Sequence, residues 1–498
     1  MDILKEIIRE IPTKELNEFK DFIQKYKNKS ERKDLELISL FCSKEELKPK
    51  QYTQALYGSH KLNTYQALRK RLLKQLSIFI TQKHMIDDQT SISLISGYIS
   101  IIQFMIQHNN DFLAWTFMKK AEDLAMKNEH YDLLNTIYNY QIEHASSPHA
   151  TDLNTIIQNK LKHRRIADQE ERYSMVYALV NQKLLELKHS NINLNIDDTI
   201  KKLFKQNNID PEVTDNPKAV FQLIKIARSS TIANKNFHNL QNYIQSQYKG
   251  LLTKQSFNKS NHLYKLEILY MLCHSLYRSR NFKDCLNHIN ELETELDKFN
   301  GIYRKRFSTK TTMLKASTLA YTNQVIESIQ ITEVLLTQNI NEDDRLGSLL
   351  NLGFYYFISN NLPRAARINL RIGHSDNWCK KKMGQEWVLK KNLMEIIIQY
   401  ELENFDIALN LIKVLKKNHK DLIQHSLFHR LIHYIDFIKK LISNPNTINS
   451  KEIISNTQTL LTSVPVEQED LQAMAFYSWL KSKIERTSYY EALMNTIN

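Results

Sequence analysis

From Leu349 to Leu370 the chain runs LLNLGFYYFISNNLPRAARINL, with large apolar side chains at Leu349, Leu352 and Tyr356, then Asn360-Asn361, then Leu362 and Ala365. Spacings of three and four put each set on one face of a helix. Pro363 suits a first helical turn, where its missing N–H would have no partner anyway. The stretch therefore predicts two helices joined by a turn at the asparagines. The same register recurs. LYMLCHSLYRSRNFKDCLNHI supplies Leu269, Leu272, Cys273, Leu276, Phe282 and Cys285, and LAYTNQVIESIQITEVLL supplies Leu319, Val325 and Ser328. IIIQYELENFDIALNLIKVL supplies Phe405 and Ala408; Phe237 with Leu240, and Tyr489 with Ala492, start further copies. The small second-helix residues at 285, 328, 365 and 408 are separated by 43, 37 and 43 positions. Each hairpin has an apolar face that it cannot bury alone, so neighbours are expected to stack.

The series Leu349, Leu352, Gly353, Tyr356, Leu362 and Ala365 resembles the tetratricopeptide repeat, whose signature runs large residue, Leu-Gly, Tyr, then Ala in the second helix. The period is longer than that repeat's, and most copies lack its glycine and tryptophan. The resemblance covers residues 219–498 and extends weakly to 91–188. It implies a right-handed α-solenoid with an exposed concave face lined by fixed positions of each first helix. Carried over, those positions are Tyr270, His274, Tyr277 and Arg278; Lys310, Met313 and Tyr321; Leu350, Phe354 and Phe357; and Lys390, Leu393, Ile397 and Tyr400.

Ahead of the array, residues 1–85 are expected to form a small N-terminal helical module. Its helices would be capped by Thr13, by Ser43 with Glu46, and by Asn63 or Thr64. Helices are predicted near 91–107, 111–127, 130–145, 151–163 and 170–188. An Asn-rich stretch follows at 189–218, where Asp210-Pro211 and Pro217 mark helix starts. The expected organisation is 1–85, 86–218 with its Asn-rich connection, and 219–498.

Composition sharpens this picture. Eight glycines and eight prolines in 498 residues fall far below the roughly 35 and 25 of average usage. Sheets and phosphate loops need glycine for positive φ and close backbone approach. The fold class is therefore all-α, and neither GxGxxG nor GxxxxGK[ST] occurs. GxSxG and HExxH are missing as well, so no catalytic residue, cofactor or metal is assigned. The uncharged run 89–110 is broken by serines and suits a buried helix better than a membrane span. Four cysteines without a CxxC pair suit a reduced, cytoplasmic protein, with Cys273 and Cys285 as close neighbours inside one hairpin.

The net charge of +14 favours acidic partners. The preferred function is a non-catalytic scaffold or adaptor that takes a protein or peptide with an acidic segment into the concave face. Its groove residues would be Tyr270, His274, Tyr277, Arg278, Lys310, Tyr321, Phe354, Phe357, Lys390 and Tyr400. The alternative is RNA or DNA binding through Arg69, Lys70, Arg71, Arg164, Arg165, Arg304, Lys305 and Arg306 as phosphate contacts. A third class is a ligand-sensing regulator with a DNA-binding head in 1–85, for which LYGSHKLN (56–63) offers the one turn candidate. His425, His429 and His433 recur every fourth residue, but they span about 12 Å of helix axis, too far for a single ion to join all three. Trp378 and Trp387 flank a lysine run in what is expected to be an inter-repeat linker.

Overall fold

The structure is a computed structural model that describes residues 3–25, 32–43, 47–87, 91–189, 196–209, 216–234, 237–418, 429–444, 455 and 471–497. Among these residues it is all helix and turn, with no strand. The chain divides into two compact units, 1–167 and 168–498.

The first unit opens with α1 (Ile3–Glu10), α2 (Thr13–Lys25), α3 (Lys33–Cys42), α4 (Pro49–Tyr57) and α5 (Leu62–Asp87). They close over Ile8, Phe19, Leu37, Phe41, Tyr52, Tyr65 and Leu72. Ser43 ends α3 rather than starting a helix, and the Glu46 of its expected capping box lies outside the described residues. The helix start falls instead at Pro49, where the Gln51 side chain accepts the Lys48 N–H at 2.7 Å. Gly58, at φ +63°, makes the turn between α4 and α5. Asn63 and Thr64 lie inside α5, not ahead of it. Next come α6 (Ile92–Gln107), α7 (Asp111–Lys127) and α8 (Tyr131–Glu143), packed around Ile102, Trp115, Met118 and Tyr138. Then α9 starts at Leu153 and runs unbroken to His189, its residues from 168 onward belonging to the second unit. The expected pause between 163 and 170 is absent: RRIADQEER holds neither glycine nor proline to stop a helix.

The second unit is an all-α solenoid of helical hairpins. After α10 (Ile196–Gln206), α11 (Pro217–Asn234) and α12 (Phe237–Thr253) come the pairs α13 (His262–Arg278) with α14 (Phe282–Asp297), and α15 (Arg304–Ala320) with α16 (Val325–Thr337). Two more follow, α17 (Glu342–Ile358) with α18 (Leu362–Leu370), and α20 (Gln385–Glu401) with α21 (Phe405–Asn418). Between them lies α19 (Asp376–Met383), and the described part of the unit ends with α22 (His429–Ser443), α23 (Leu471–Glu485) and α24 (Tyr489–Ile497). Asn216 caps α11 by accepting the Lys218 N–H, and Pro217 takes the first helical position. Asp210-Pro211 lies outside the described residues.

First and second helices do different work. First helices touch neighbours on several sides, so α13 buries Leu266, Ile268, Leu269, Leu272, Cys273 and Leu276. Second helices bury one stripe: Phe282, Cys285, Ile289, Leu292 and Leu296 in α14, at steps of three and four. Cys285, Ser328, Ala365 and Ala408 are each 0% exposed, which is why these four copies carry a small residue there. A larger side chain would push the two helices apart.

A single turn design joins the hairpins. Asn109, Glu129, Asn208, Gln255, Arg280, Asn323, Asn360, Glu403 and Arg486 all sit at φ between 49° and 65°. After each, the next N–H reaches back five residues to a helical carbonyl: Asn281 to Leu276 at 2.9 Å, Asn361 to Tyr356 at 2.8 Å, Asn404 to Gln399 at 2.9 Å. This is the left-handed helix ending that glycine usually provides. Here asparagine, glutamate, glutamine and arginine provide it, so a chain poor in glycine still turns tightly.

Candidate functional site

The first helices α13, α15 and α17 lie side by side and run in the same direction. Tyr270, at the middle of α13, meets Phe307, near the start of α15, edge-on at 6.4 Å; Tyr277 meets Tyr321 at 6.1 Å, and Tyr321 meets Phe354 at 6.3 Å, towards the helix ends. At those ends a cavity of about 50 Å³ opens. Four first helices line it, with Tyr277 from α13, Ser317 from α15, Leu350, Asn351, Phe354 and Tyr355 from α17, and Lys390, Met394 and Ile397 from α20; Tyr321, just past α15, adds to them. Ala475 and Phe476 of α23 and Tyr489 of α24 close the remaining side.

The last two helices reach that place by folding back. The Tyr490 hydroxyl donates to the Ala320 carbonyl and accepts the Asn323 N–H, both at 3.0 Å. Trp479 Nε1 donates to Glu401 at 2.5 Å, and Lys483 pairs with the same carboxylate. Leu471, Met474, Ala475, Leu493 and Ile497 pack with Phe282, Ala316, Ala320, Tyr355 and Ile358. Hydrogen bonds and packing thus hold both sides of the cavity. Tyr355 is hydrogen-bonded to Ser317 at 2.9 Å, and burial raises the pKa of Tyr355 and Tyr489 well above the ordinary tyrosine range. Both are neutral hydroxyls. Lys390 is the one ionised group among the lining residues, held by Glu386 at 2.8 Å.

Of the ten groove residues named from sequence, Tyr277, Tyr321, Phe354 and Lys390 line this cavity. Tyr321 contributes as a buried wall, stacked on Phe282 with ring centroids 5.2 Å apart. Phe357 is buried in the core and meets Tyr489 edge-on at 5.1 Å. Tyr400 is half-buried against Trp479 at 5.2 Å, with its ring serving the α20–α23 contact. Tyr270, His274, Arg278 and Lys310 are half-buried on α13 and α15. Lys310 Nζ lies 4.4 Å and 4.0 Å from the ring centres of Tyr270 and Phe307. Burial and the charges of Arg228 and Arg278 push the His274 pKa down to about 3, so its imidazole is neutral. Burial also raises the Tyr270 pKa to about 12.

Sequence reasoning missed Ser317, Asn351, Tyr355, Met394, Ala475, Phe476 and Tyr489. Tyr489 carried a signal, since its spacing to Ala492 matched a second helix, but nothing local says which distant hairpins that helix will meet.

The basic clusters are dispersed. Arg69 is half-buried over the Tyr65 ring, and Lys70, Arg71, Arg164 and Arg165 are exposed in the first unit. In the second unit Lys305 is exposed, but Arg304 pairs with Asp297 and Arg306 with Glu267, so two of those three charges are already compensated.

Cys285 Sγ donates to the Cys273 carbonyl at 3.2 Å; both thiols are free, and burial pushes the Cys285 pKa up to about 12. His425 lies outside the described residues, and His433 is exposed on α22. The Trp378 linker contains a helix, α19, capped by Ser375 and ended by Gly384 at φ +88°. Trp378 stacks on His374 at 3.8 Å, and Trp387 packs against the core. Among the described residues no helix is long and apolar enough to cross a membrane, and no group of His, Cys, Asp and Glu is arranged to hold a metal ion.

No family model matches the chain, and no curated protein does. Among solved structures, the chain is similar to that titled "Crystal structure of NprR in complex with its cognate peptide NprX". The TM-score is 0.42 and the identity 12%, over 73% of this chain and 98% of that one.

Proposed function

We propose that the chain is a non-catalytic scaffold or adaptor that binds a protein or peptide on the face formed by the first helices of its second unit. The cavity carries this reading. Aromatic and aliphatic side chains from four successive hairpins and the folded-back helices converge there, beside one ammonium group. Large rings fixed by packing serve as anchors because little rotamer freedom is left to lose on binding. No carboxylate, imidazole or thiol lines the cavity, so its lining offers anchoring and one positive charge rather than an acid–base pair. The neighbouring free thiols of Cys273 and Cys285 support a cytoplasmic setting.

The test is co-purification of the tagged chain and its Phe354→Ala variant from native cells, with each sample split into nuclease-treated and untreated halves. The reading expects the same proteins in both halves of the unaltered chain, and their loss from Phe354→Ala with its helical circular dichroism kept. Partners that vanish with nuclease would assign the work to the exposed basic residues and refute it.

A further inference from the structure

The first unit carries a charged stretch of its own. From Leu47 to Ile86, 40 residues, there is no Asp or Glu, although the chain has 54 of them, and the same stretch holds eight Lys and Arg. It comprises α4, a short turn and α5. Gly58 ends α4 at φ +63°, its N–H donating to the Gln54 carbonyl at 2.9 Å, and α5 begins at Leu62. Two helices joined by so short a turn through glycine have the make-up of a helix-turn-helix. Aromatic packing fixes the pair: Phe41 of α3 meets Tyr52 of α4 edge-on at 5.3 Å, and Tyr52 stacks on Tyr65 of α5 at 5.8 Å.

The core side of α5 is Tyr65, Leu68, Leu72, Leu76 and Phe79. At 100° per residue the opposite side carries Asn63, Gln66, Ala67, Lys70 and Lys74, all exposed, with exposed Arg71 at its edge. A face that meets only water normally mixes charges of both signs. This one has amides, a small residue and cations alone. Lys50 of α4 and Lys61 of the turn are exposed as well. The side chains of Lys50, Lys61, Lys70, Arg71 and Lys74 make no hydrogen bond or ion pair with a described residue, whereas Lys83, further along α5, is engaged by Glu15 and Glu18 of α2.

Such a face suits a polyanion with readable edges. The major groove of B-form DNA admits an α-helix, while that of A-form RNA is too narrow for side chains to read. Single strands are held by stacking on aromatic rings, and no Phe, Tyr or Trp is exposed between 47 and 86. We propose that α4 and α5 bind duplex DNA as a helix-turn-helix: Asn63, Gln66 and Lys70 face base edges in the major groove, and Lys50, Arg71 and Lys74 hold phosphates. The two amides match the donor and acceptor of adenine, and Ala67 leaves room for a thymine methyl. This site is independent of the peptide reading of the second unit, which stands if it fails.

The experiment measures fluorescence anisotropy of a labelled mixed-sequence duplex with the full chain, from about 50 to 200 mM NaCl, and selects binders from a duplex library with a random centre. Affinity is expected to fall at least about tenfold over that range, and the selection to converge on a preferred sequence. Arg71→Gln/Lys74→Gln should weaken binding at least about tenfold and flatten the salt slope by about two. Lys50→Gln/Lys74→Gln takes its place if helical circular dichroism is lost. Asn63→Ala/Gln66→Ala should keep the mixed-sequence affinity within about twofold and lose the sequence preference. Lys249→Gln/Lys259→Gln, which removes the same charge from exposed positions of the second unit, should change little. No binding at the lowest salt, or an equal loss from the Lys249/Lys259 pair, would overturn the inference, the second because net charge alone would then account for the affinity. Competition by a single-stranded oligonucleotide or phosphatidylserine vesicles as strong as by the duplex would do so too, as would a selection that finds no preferred sequence.

Discussion

Replacing Glu403 with glycine should make the protein more stable, although it deletes a whole side chain. Glu403 holds φ +60° in the turn between α20 and α21, its side chain is exposed, and its carboxylate makes no hydrogen bond or ion pair with a described residue. A left-handed conformation costs a residue with a Cβ about 1–2 kcal/mol. Glycine avoids that cost but gives up about 0.5–1 kcal/mol more backbone entropy on folding. The balance is a gain of about 0.5–1 kcal/mol, because the bond from Asn404 N–H to the Gln399 carbonyl does not involve the side chain. In urea, followed by circular dichroism, the midpoint should rise by roughly 0.2 M at an unchanged slope. Gln255→Gly, at φ +51° and also exposed, should behave alike. Gly373→Ala, at φ +64°, should move the midpoint the other way by about the same amount. If Glu403→Gly lowers the midpoint, or Gly373→Ala raises it, these turns do not carry the backbone cost assigned to them.

Other expectations follow from burial. Ala365→Leu places a large side chain at a site with 0% exposure between α17 and α18 and should cost about 1–3 kcal/mol by the same urea assay, whereas Ala366→Leu, beside it and half-buried, should cost less. His274 has a folded pKa below its unfolded one, so the unfolded chain binds more protons between about pH 6.5 and 3, and stability falls as pH drops through that window. His274→Gln should therefore lose less of its thermal midpoint than the unaltered chain between pH 7 and 5, a difference of order 2 kcal/mol at most. With Ellman's reagent, Cys42 should react quickly in the folded protein, and Cys273, Cys285 and Cys379 only after unfolding, because all three are buried. A fast reaction at Cys285 would contradict its placement.

The hairpins were legible because their signals are local. Spacings of three and four and the small residue at 285, 328, 365 and 408 are written within 30 residues of each turn. The scarcity of glycine pointed to helices for a sound reason, yet it hid the turns, since Arg280 and Glu403 do in a left-handed conformation what glycine usually does. Helix ends were less legible. Ser43 and Glu46 match a capping pattern, but Pro49 starts the helix that follows, and α9 continues where an end was expected. At the candidate site, Tyr277 and Phe354 were accessible from repeat register. Phe357, three residues beyond Phe354 and about 60° round the helix from it, sits nearly one turn further on, in the core against Tyr489 rather than in the cavity lining. Phe476 and Tyr489 were beyond reach, since their position depends on contacts with residues more than a hundred positions away.

Those contacts change how the second unit should come apart. In a plain stack of hairpins each repeat touches only the next, so the ends can fray while the middle holds. Here Tyr490 is bonded to Ala320 and Asn323, and Trp479 to Glu401, across 170, 167 and 78 residues of sequence. The stack is clasped end to middle. α23 and α24 cannot peel away without exposing Ala320, Tyr355 and Ile358, nor can the hairpins at Tyr321 and Tyr355 loosen without releasing those two helices. Backbone amides of α15, α17 and α23 should therefore exchange hydrogen with solvent as one cooperative block, while those of α10 and α11, which have no such clasp, open independently.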